Sequence, residues 1–469
     1  MKLADLDNPV RASWLADQSF RLDPGPYVSD SYAAHMLLKR MPRTEPLGEV
    51  TERIFHAGRV TRSWTTDPEH GVPFLSSADI FQADLSSLSM ITRRSFRGNP
   101  KLPLEPGWTL ITRSGMTAGR VTYARLDMQG YACSEDVLRV VPDRDKIPAG
   151  YLSTFLASPF GIPMIKGGIY GTSVKHIEPS HIADLPVPRV EADIEQRIDS
   201  LIREAMMLRA RFQAGVVDAT HDLFKSAGLS ELINFNWHDQ PRDVDFSVSG
   251  LTSTSLRALN FSPRARRVID VLRSVPHRTL GEICAGGYLD SGARFKRIEG
   301  DRDHGGVKLV GQRQGFWLRP EGRWINPRHA PPGIFAADES VLIAAQGTLG
   351  DSEVFCRPIF VTGEWLKNVY TQHFLRVVSG ELEFPGAYLF AFLRSEVAFR
   401  VLRSMSVGGK QQDLHTELRQ QVPVPECTPE DRERIAETVR QAYRWRDEAD
   451  MKEDQALALL DQAIREAAR

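Results

Sequence analysis

The chain has little cysteine and no long apolar run, and both absences narrow the class of protein. Its 469 residues include four cysteines, Cys133, Cys284, Cys356 and Cys427, with no C-x-x-C pair. Widely spaced single cysteines argue against a disulfide framework or a structural zinc site and fit a reduced, cytoplasmic protein. No apolar stretch approaches the roughly 18–20 residues that cross a bilayer, and the N-terminus lacks the apolar core of a signal peptide. We therefore expect a cytoplasmic protein with no membrane partner.

The chain also lacks an excess of positive or negative charge and the common nucleotide-binding motifs. The formal net charge is -1, so any surface that binds nucleic acid must be local. The phosphate loop G-x-x-x-x-G-K-[ST] is absent, which excludes an ATPase motor on this chain. The Asn-Pro pairs read N-P-V at 8–10, N-P-K at 99–101 and N-P-R at 326–328. None is the N-P-P-[YF] type of tetrapeptide that a DNA base methyltransferase needs.

Two polar segments contain residue types that occur in catalytic or metal sites. His176, Glu178 and His181 place two imidazoles near a carboxylate, which could bind a metal. A solvated polar loop is the favoured interpretation. Cys133 has no base close in sequence, which argues against a nucleophile. We expect no catalytic residues and no metal site on this chain.

The sequence does contain a diverged tandem repeat. Over residues 137–188, 14 of 52 positions are identical to the positions 237 residues later. The clearest matches are VLRVV at 137–141 with FLRVV at 374–378, YLSTFLAS at 151–158 with YLFAFLRS at 388–395, and LPVP at 185–188 with VPVP at 422–425. Upstream the copies match with a shifted register. LGEV at 47–50 matches LGEI at 280–283, GVPFL at 71–75 matches GVKLV at 306–310, and residues 108–124 match residues 340–356. The chain is therefore predicted to hold two copies of one unit.

Each copy shows the same order of predicted elements. A leader helix, at 30–41 or 263–274, precedes a strand-and-turn region. The predicted strands are 108–112, 120–124 and 137–141 in the first copy, and 340–345, 353–360 and 373–378 in the second. A helix at 149–158 or 386–403 follows, then a polar loop and a Pro-Val-Pro that cannot continue a helix.

A long amphipathic helix closes each copy. Ile198, Leu201, Ala205, Leu208 and Phe212 step by threes and fours, as in a coiled-coil seam. Ile435, Val439, Ala442 and Leu460 mark a looser stripe in the second helix. Such helices are too long for one small domain to cover. We expect these residues to lie on helices that pack against each other and dock partner proteins.

Basic and hydrogen-bonding residues recur in the loops of both copies. Arg and Lys pair with guanine edges, Gln with adenine, and Ser or Thr with phosphates. The candidate DNA-binding residues of the first copy are Arg59, Arg62, Ser63, Arg93, Arg94, Arg97, Arg113, Lys166, Tyr170, Thr172, Ser173 and Lys175. Those of the second copy are Arg294, Lys296, Arg297, Lys308, Gln312, Arg313, Gln314, Lys410, Gln411 and Gln412. Both copies place such residues in similar positions while their identities differ, which is typical of two readers of different half-sequences.

The order of these motifs resembles the specificity (S) subunits of type I restriction–modification systems. The resemblance is carried by the leader RLDPGPY at 21–27, the strand pairs LITRSGMTAGR and LIAAQGTLGD, the tyrosine-led helices, and the Pro-Val-Pro before each long helix. It covers nearly the whole chain, twice. It implies an α+β fold with two similar mixed α/β target-recognition domains in pseudo-two-fold tandem repeat, joined by two long antiparallel coiled-coil-like helices. The implied divisions are 1–188 for the leader and first recognition domain, 189–228 for the central helix, 229–425 for the linker and second recognition domain, and 426–469 for the C-terminal helix.

The resemblance also implies a function. The chain would be a non-catalytic subunit that binds a bipartite asymmetric site on double-stranded DNA, in host DNA modification and phage defence. It would position two methyltransferase subunits, and a restriction and translocase subunit could join them. S-adenosylmethionine and ATP with Mg would belong to those partners, with no cofactor on this chain. The alternatives are a stand-alone DNA-modifying enzyme or nuclease with an unrecognised active site, and a repeat scaffold that binds proteins only.

Overall fold

The computed structural model describes residues 11–17, 27, 30–59, 61–115, 117–170, 176–249, 251, 254–331 and 333–469. These residues form two compact units. The first comprises the described residues up to Phe81, Leu88–Ala210 and Glu448–Arg469, and the second comprises Gln82–Ser87 and Arg211–Asp447. Each unit therefore contains part of both long helices, which differs from a division into four consecutive segments.

Helices and strands are mixed in both units. The α-helices are α1 (Ala12–Asp17), α2 (Asp30–Leu38), α3 (Arg93–Arg97), α4 (Ala149–Leu156), α5 (Gly161–Gly167), α6 (Ala192–Ser226), α7 (Pro263–Arg273), α8 (Leu280–Ile283), α9 (Gln312–Gly315), α10 (Gly386–Leu393), α11 (Glu396–Ser404) and α12 (Pro429–Ala467). The strands of the first unit are β1 (Thr44–Pro46), β2 (Thr51–Phe55), β3 (Trp64–Thr65), β4 (Gly71–Leu75), β5 (Met90–Thr92), β6 (Thr109–Thr112), β7 (Val121–Tyr123), β8 (Ala132–Cys133), β9 (Val137–Pro142) and β10 (Pro186–Pro188). Those of the second unit are β11 (His277–Thr279), β12 (Tyr288–Ser291), β13 (Val307–Val310), β14 (Gly322–Ile325), β15 (Ser340–Ala344), β16 (Pro358–Val361), β17 (Asn368–Tyr370), β18 (Phe374–Val378), β19 (Ser406–Gly408), β20 (Gln412–Leu414) and β21 (Pro423–Pro425).

The two units share one strand order. The main sheet of the first unit is ordered β2-β9-β6-β7, and that of the second is ordered β12-β18-β15-β16. Both sheets are antiparallel throughout. In chain order each sheet reads first, fourth, second and third strand. The repeat in sequence is therefore a repeat in topology.

The Pro-Val-Pro segments hold the same place in each unit. They form β10, antiparallel to β1, and β21, antiparallel to β11. A buried tyrosine secures each segment: the Tyr151 hydroxyl donates to the Pro188 carbonyl at 2.5 Å, and the Tyr388 hydroxyl donates to the Pro425 carbonyl at 2.8 Å. Because Pro lacks an N–H, the segment ends the domain strand and α6 or α12 begins only after it.

A buried arginine lies on the fourth strand, in chain order, of each main sheet. Arg139 on β9 donates to the carbonyls of Ser134 at 2.9 Å and Val137 at 2.7 Å. Arg376 on β18 donates to the carbonyls of Phe335 at 3.1 Å and Ile334 at 2.9 Å. Burial lowers the pKa of both guanidinium groups. The two arginines lie 237 residues apart and both donate to backbone carbonyls, Arg139 to the segment that leads into its own strand and Arg376 to the loop at 333–335.

A second, smaller sheet accompanies the main sheet of each unit. In the first unit its order is β3-β5-β4-β8, with β4 parallel to β8. In the second its order is β14-β13-β17, with β13 parallel to β17. The matching segments GVPFL and GVKLV supply β4 and β13.

Two predicted elements need correction in the second unit. The strand predicted from residue 353 begins at Pro358, because Cys356 has φ +70° and turns the chain. The helix predicted over 386–403 is two helices, since Ser395 caps α11 by accepting the Ala398 N–H at 3.1 Å.

The long helices pair within each unit. In the first, Lys452 of α12 binds Glu204 of α6 at 2.6 Å. In the second, Gly215 lies so close to Ala442 that an added Cβ would come within 2.9 Å of the alanine Cβ, and Arg434 binds Asp222 at 2.9 Å. The numbering runs in opposite directions on the two helices, so the paired segments are antiparallel.

The residues predicted to dock partners face inward. All are buried in the structure and belong to its cores: Ile198, Leu201, Ala205, Leu208, Phe212, Ile435, Val439, Ala442 and Leu460. A partner cannot reach them in the folded protein. They hold the helices to the rest of their own unit, as residues of a buried seam do, and a partner could contact only the other faces of these helices.

In the part of the chain that the structure describes, no helix is long and apolar enough to cross a membrane. The four cysteines are free and buried, and burial raises the pKa of each thiol.

Candidate nucleic-acid interface

Three predicted loops of the second unit meet at Gln346, just past the end of β15. The Gln312 amide on α9 donates to the Gln346 carbonyl at 2.7 Å, and the Gln346 N–H donates to Gln312 Oε1 at 3.1 Å. Gly347 and Gln412 exchange backbone hydrogen bonds at 2.7 and 3.2 Å. The GQRQG segment and the GGKQQ segment are therefore held on the same strand end.

The third loop, which carries Arg297, is connected to Gln346 through Gln372 and His373. Arg297 donates to Gln372 Oε1 at 2.8 Å, and the His373 ring lies 2.5 Å from Gln346 Oε1 through its Nδ1. Since an amide oxygen only accepts, these partners assign the Nδ1–H tautomer. Burial, together with the charges of Arg297 and Arg294, lowers the pKa of His373, so the ring is neutral at pH 7.

Cationic and amide side chains surround this network. Arg294, Lys296, Arg313, Lys410 and Gln411 are exposed on the three loops, and Gln314 is half-buried. These groups have the chemistry to contact phosphates and base edges.

Other predicted residues of the second unit are occupied by the protein itself. Gln412 is only 4% exposed and its amide donates to the Gly409 carbonyl, which corrects the expectation that this side chain faces DNA. Gln312 uses its amide to bind Gln346. Lys308 donates to the Pro320 carbonyl at 3.2 Å.

In the first unit, a chain of polar contacts connects the ends of β6 and β9. The Ser114 hydroxyl donates to Asp136 at 2.6 Å, and the Arg113 N–H donates to the Asp136 carbonyl at 2.7 Å. Next to it, Arg62 forms an ion pair with Glu135. Both carboxylates are partly exposed, so this strand end presents acceptors as well as cations.

Glu178 is the centre of a second polar group in the first unit. Arg113 forms an ion pair with it, the Tyr170 hydroxyl lies 3.5 Å from it, and His56 Nε2 lies 3.5 Å from it. Burial opposes ionisation of Glu178, but the hydrogen bond and charge of Arg113 outweigh it and its pKa is lowered. Burial and the charge of Arg113 lower the pKa of His56. The cluster thus holds an ionised carboxylate beside a neutral imidazole.

A further group lies on β3 and α3. The Ser63 N–H donates to Ser95 Oγ at 3.0 Å, which places exposed Ser63 beside the helix that carries Arg93, Arg94 and Arg97. All three arginines are exposed, as is Arg59. Trp64, next to Ser63 in the chain and 54% exposed, packs edge-on against Phe74. Lys166, at the end of α5, is exposed as well. Thr172, Ser173 and Lys175 lie outside the described residues.

The equivalent polar positions of the two units can be matched through the sheets. Thr112 pairs with Val137 at the end of β6 and β9, and Ala344 pairs with Phe374 at the end of β15 and β18. Counting outward from these pairs gives two matches. A third follows from the 237-residue repeat, since His176 bridges to Ser114 and Asp413 accepts from the Gln346 amide. The matched positions are Ser114 and Gln346, Asp136 and His373, and His176 and Asp413.

None of these six residues is among the DNA-binding residues predicted from the sequence, which are basic, amide and hydroxyl residues of the loops. The signal that could have found them is a polar residue just outside a strand that differs between the copies. Across the described residues, no group of three or more His, Cys, Asp and Glu side chains is arranged to hold a metal ion. The carboxylate of Glu178 is paired with Arg113.

Comparison with known proteins gives weak likenesses to solved structures. The S subunit of a type I restriction–modification system from M. genitalium has a TM-score of 0.35 and 11% identity, over 91% of this chain and 95% of that chain. The HsdS subunit from Thermoanaerobacter tengcongensis has a TM-score of 0.27 and 15% identity, over 91% and 97%. A chain from a structure of the type I R-M system has a TM-score of 0.26 and 14% identity, over 90% and 98%. No protein-family model matches the chain, and no curated protein matches it. Since the TM-scores lie below 0.5, the fold and site stand on the geometry of this chain alone.

Proposed function

We propose that the chain is a non-catalytic subunit that recognises a DNA sequence, each unit reading one half of a bipartite, asymmetric target on double-stranded DNA. One observation carries this proposal: the two units share a framework, while the polar residues at matched strand ends differ. Ser114 and Asp136 stand in the first unit where Gln346 and His373 stand in the second. A common framework with different hydrogen-bonding groups suits two related but different half-sites.

The surrounding side chains divide into two roles. Exposed arginines and lysines supply phosphate contacts, which give affinity and position without sequence information. Amides, carboxylates and hydroxyls at the strand ends can form hydrogen bonds with base edges in the major groove. Both kinds occur in both units, so each unit has what one half-site requires.

Partner proteins would dock on the outward faces of the long helices, since their inward faces are buried. In the second unit, α6 and α12 border a shallow groove formed by Ala214, Gly215, Thr438, Gln441 and Trp445. Charged residues rim it, among them Arg211 and Glu437. We propose that two methyltransferase subunits bind such faces, and that a restriction and translocase subunit joins them. S-adenosylmethionine, and ATP with Mg, would be bound by those partners.

Gel shifts of the full-length chain with duplex DNA, with and without the methyltransferase partner, test the proposal. Binding is expected to weaken with salt, because phosphate contacts release counterions. In the second unit, Arg313→Ala should weaken binding and flatten the salt dependence. Arg273→Ala, an exposed arginine on α7, is the matched control and should bind like the wild type. Absence of binding in both settings at every salt concentration would instead favour a scaffold that binds only proteins.

A further inference from the structure

The two units of one chain allow an internal comparison of which residues are kept and which have diverged. Buried polar residues with structural partners are kept: Arg139 matches Arg376, and Tyr151 matches Tyr388, each with the same type of backbone acceptor. Polar residues are therefore not exchanged freely where they hold the fold. A matched position at which the polar side chain does differ lacks that structural constraint.

The strand-end positions behave in the opposite way. In the first unit they form a hydroxyl–carboxylate pair, with Ser114 donating to Asp136 at 2.6 Å. In the second unit they form an amide–imidazole pair, Gln346 with His373 at 2.5 Å, and the Gln346 amide also donates to Asp413 at 3.1 Å. Ser114 with Asp136, and Gln346 with His373 and Asp413, are hydrogen-bonded to each other, whereas His176 is placed by the backbone bridge to Ser114. All six side chains are partly exposed and remain accessible to a ligand.

Their neighbours are the cations expected to hold DNA. Arg113 is adjacent to Ser114 and its guanidinium is fixed by Glu178. In the second unit Arg297 reaches the network through Gln372 at 2.8 Å. A nucleotide whose base edge contacts either strand end would have a cation nearby to bind its backbone phosphate.

We infer that these matched strand-end positions are the specificity-determining residues of the two half-sites: Ser114, Asp136 and His176 in the first unit, and Gln346, His373 and Asp413 in the second. This inference depends on the proposed function and adds the residues that discriminate bases.

The chemistry of the first set indicates a class of base. The Asp136 carboxylate only accepts hydrogen bonds, and so does the neighbouring Glu178 carboxylate. In the major groove, adenine N6 and cytosine N4 are the donors, whereas guanine and thymine present acceptors at the corresponding place. The first set therefore reads a base with an exocyclic amino group. The second set offers amide donors and acceptors together and reads a different base.

The test is selection of binding sites from a randomised duplex library by the full-length chain in complex with its methyltransferase partner. Asp136→Asn keeps the shape of the side chain but adds a donor. It should admit guanine or thymine at one position of one half-site, and discrimination there should fall by about ten-fold to one-hundred-fold. His373→Gln should change only the other half-site. Arg94→Ala is the control and should weaken binding with the selected motif unchanged.

Thermal unfolding of each variant distinguishes loss of folding from loss of sequence discrimination. Ser114→Ala provides a milder change in the first set. An unchanged motif in folded Asp136→Asn and folded His373→Gln would overturn the inference and leave the proposed function standing. A wild-type complex that selects no motif would overturn both.

Discussion

Arg209 offers the sharpest test of how the long helices pair in the first unit. Its guanidinium is fully buried and binds Glu453 of α12 at 3.0 Å and Asp450. The Tyr123 hydroxyl donates to the same Glu453 at 2.6 Å. Replacing Arg209 with Met keeps the length and apolar packing of the side chain but leaves two carboxylates, each about 15% exposed, without their cation.

The expected cost follows from that burial. Removing one partner of a buried ion pair costs about 3–5 kcal/mol, because the remaining charge stays desolvated. For a unit of this size such a change lowers the midpoint of thermal unfolding by roughly 6–20 °C. Lys452 provides a matched control, since its pair with Glu204 lies on the same two helices but is partly exposed, and Lys452→Met should cost less than about 1 kcal/mol.

Calorimetry with circular dichroism on the full-length chain measures both variants. Combining Arg209→Met with Asp450→Asn and Glu453→Gln should recover much of the lost stability, because the uncompensated charges are gone. If Arg209→Met unfolds within about 1 °C of the wild type, the buried network does not hold the two helices together.

Four further predictions concern single sites. Tyr388→Phe leaves the buried Pro425 carbonyl without its donor and should destabilise the second unit by about 1–3 kcal/mol, measured by denaturant unfolding. Gly119→Ala places a Cβ at φ +84° and should cost about 1–2 kcal/mol, measured the same way. Folding lowers the pKa of His373 from its ordinary value of 6.5, so the unfolded state binds more protons than the folded state near and below that pH. The contribution of His373 to the free energy of unfolding is therefore complete above pH 6.5 and decreases below it. His373→Gln should reduce the difference in unfolding free energy between pH 5.5 and 7.5. Arg94→Ala should lower the slope of log K against log salt for duplex binding by about 0.9, if Arg94 contacts one phosphate.

Much of the framework was predictable because the repeat exposes it twice. The strands β6 and β9 fall within the predicted segments to about one residue, as do β15 and β18. Their apolar, β-branched runs occur in both copies, so chance similarity is excluded. The break between α10 and α11 was missed because Ser395 acts as a cap only through its side-chain conformation, and the apolar pattern continues across it.

The buried faces of the long helices show a different limit. Spacing by threes and fours identifies residues on one side of a helix, but it does not say what covers that side. Ile198 and Leu460 lie against their own unit, so the stripe marks a core rather than a free docking surface.

Gln412 shows why composition alone misleads in the candidate site. Its glycine-rich, polar surroundings predict exposure, yet pairing of β19 with β20 and of Gly347 with Gln412 buries it. The opposite error concerns Gln346 and His373, which neither charge nor motif distinguishes. Their positions are identified only when the strand pairs of the two sheets are used to match equivalent residues of the two units.

The central claim is that this chain determines which DNA sequence a methyltransferase complex recognises. A comparison of methylomes tests this claim most directly. Single-molecule sequencing would compare host DNA with and without this gene while the methyltransferase partner is expressed. We predict one new asymmetric motif of two half-sites, present only when both proteins are expressed. A methylome that does not change when this gene is added would contradict the account.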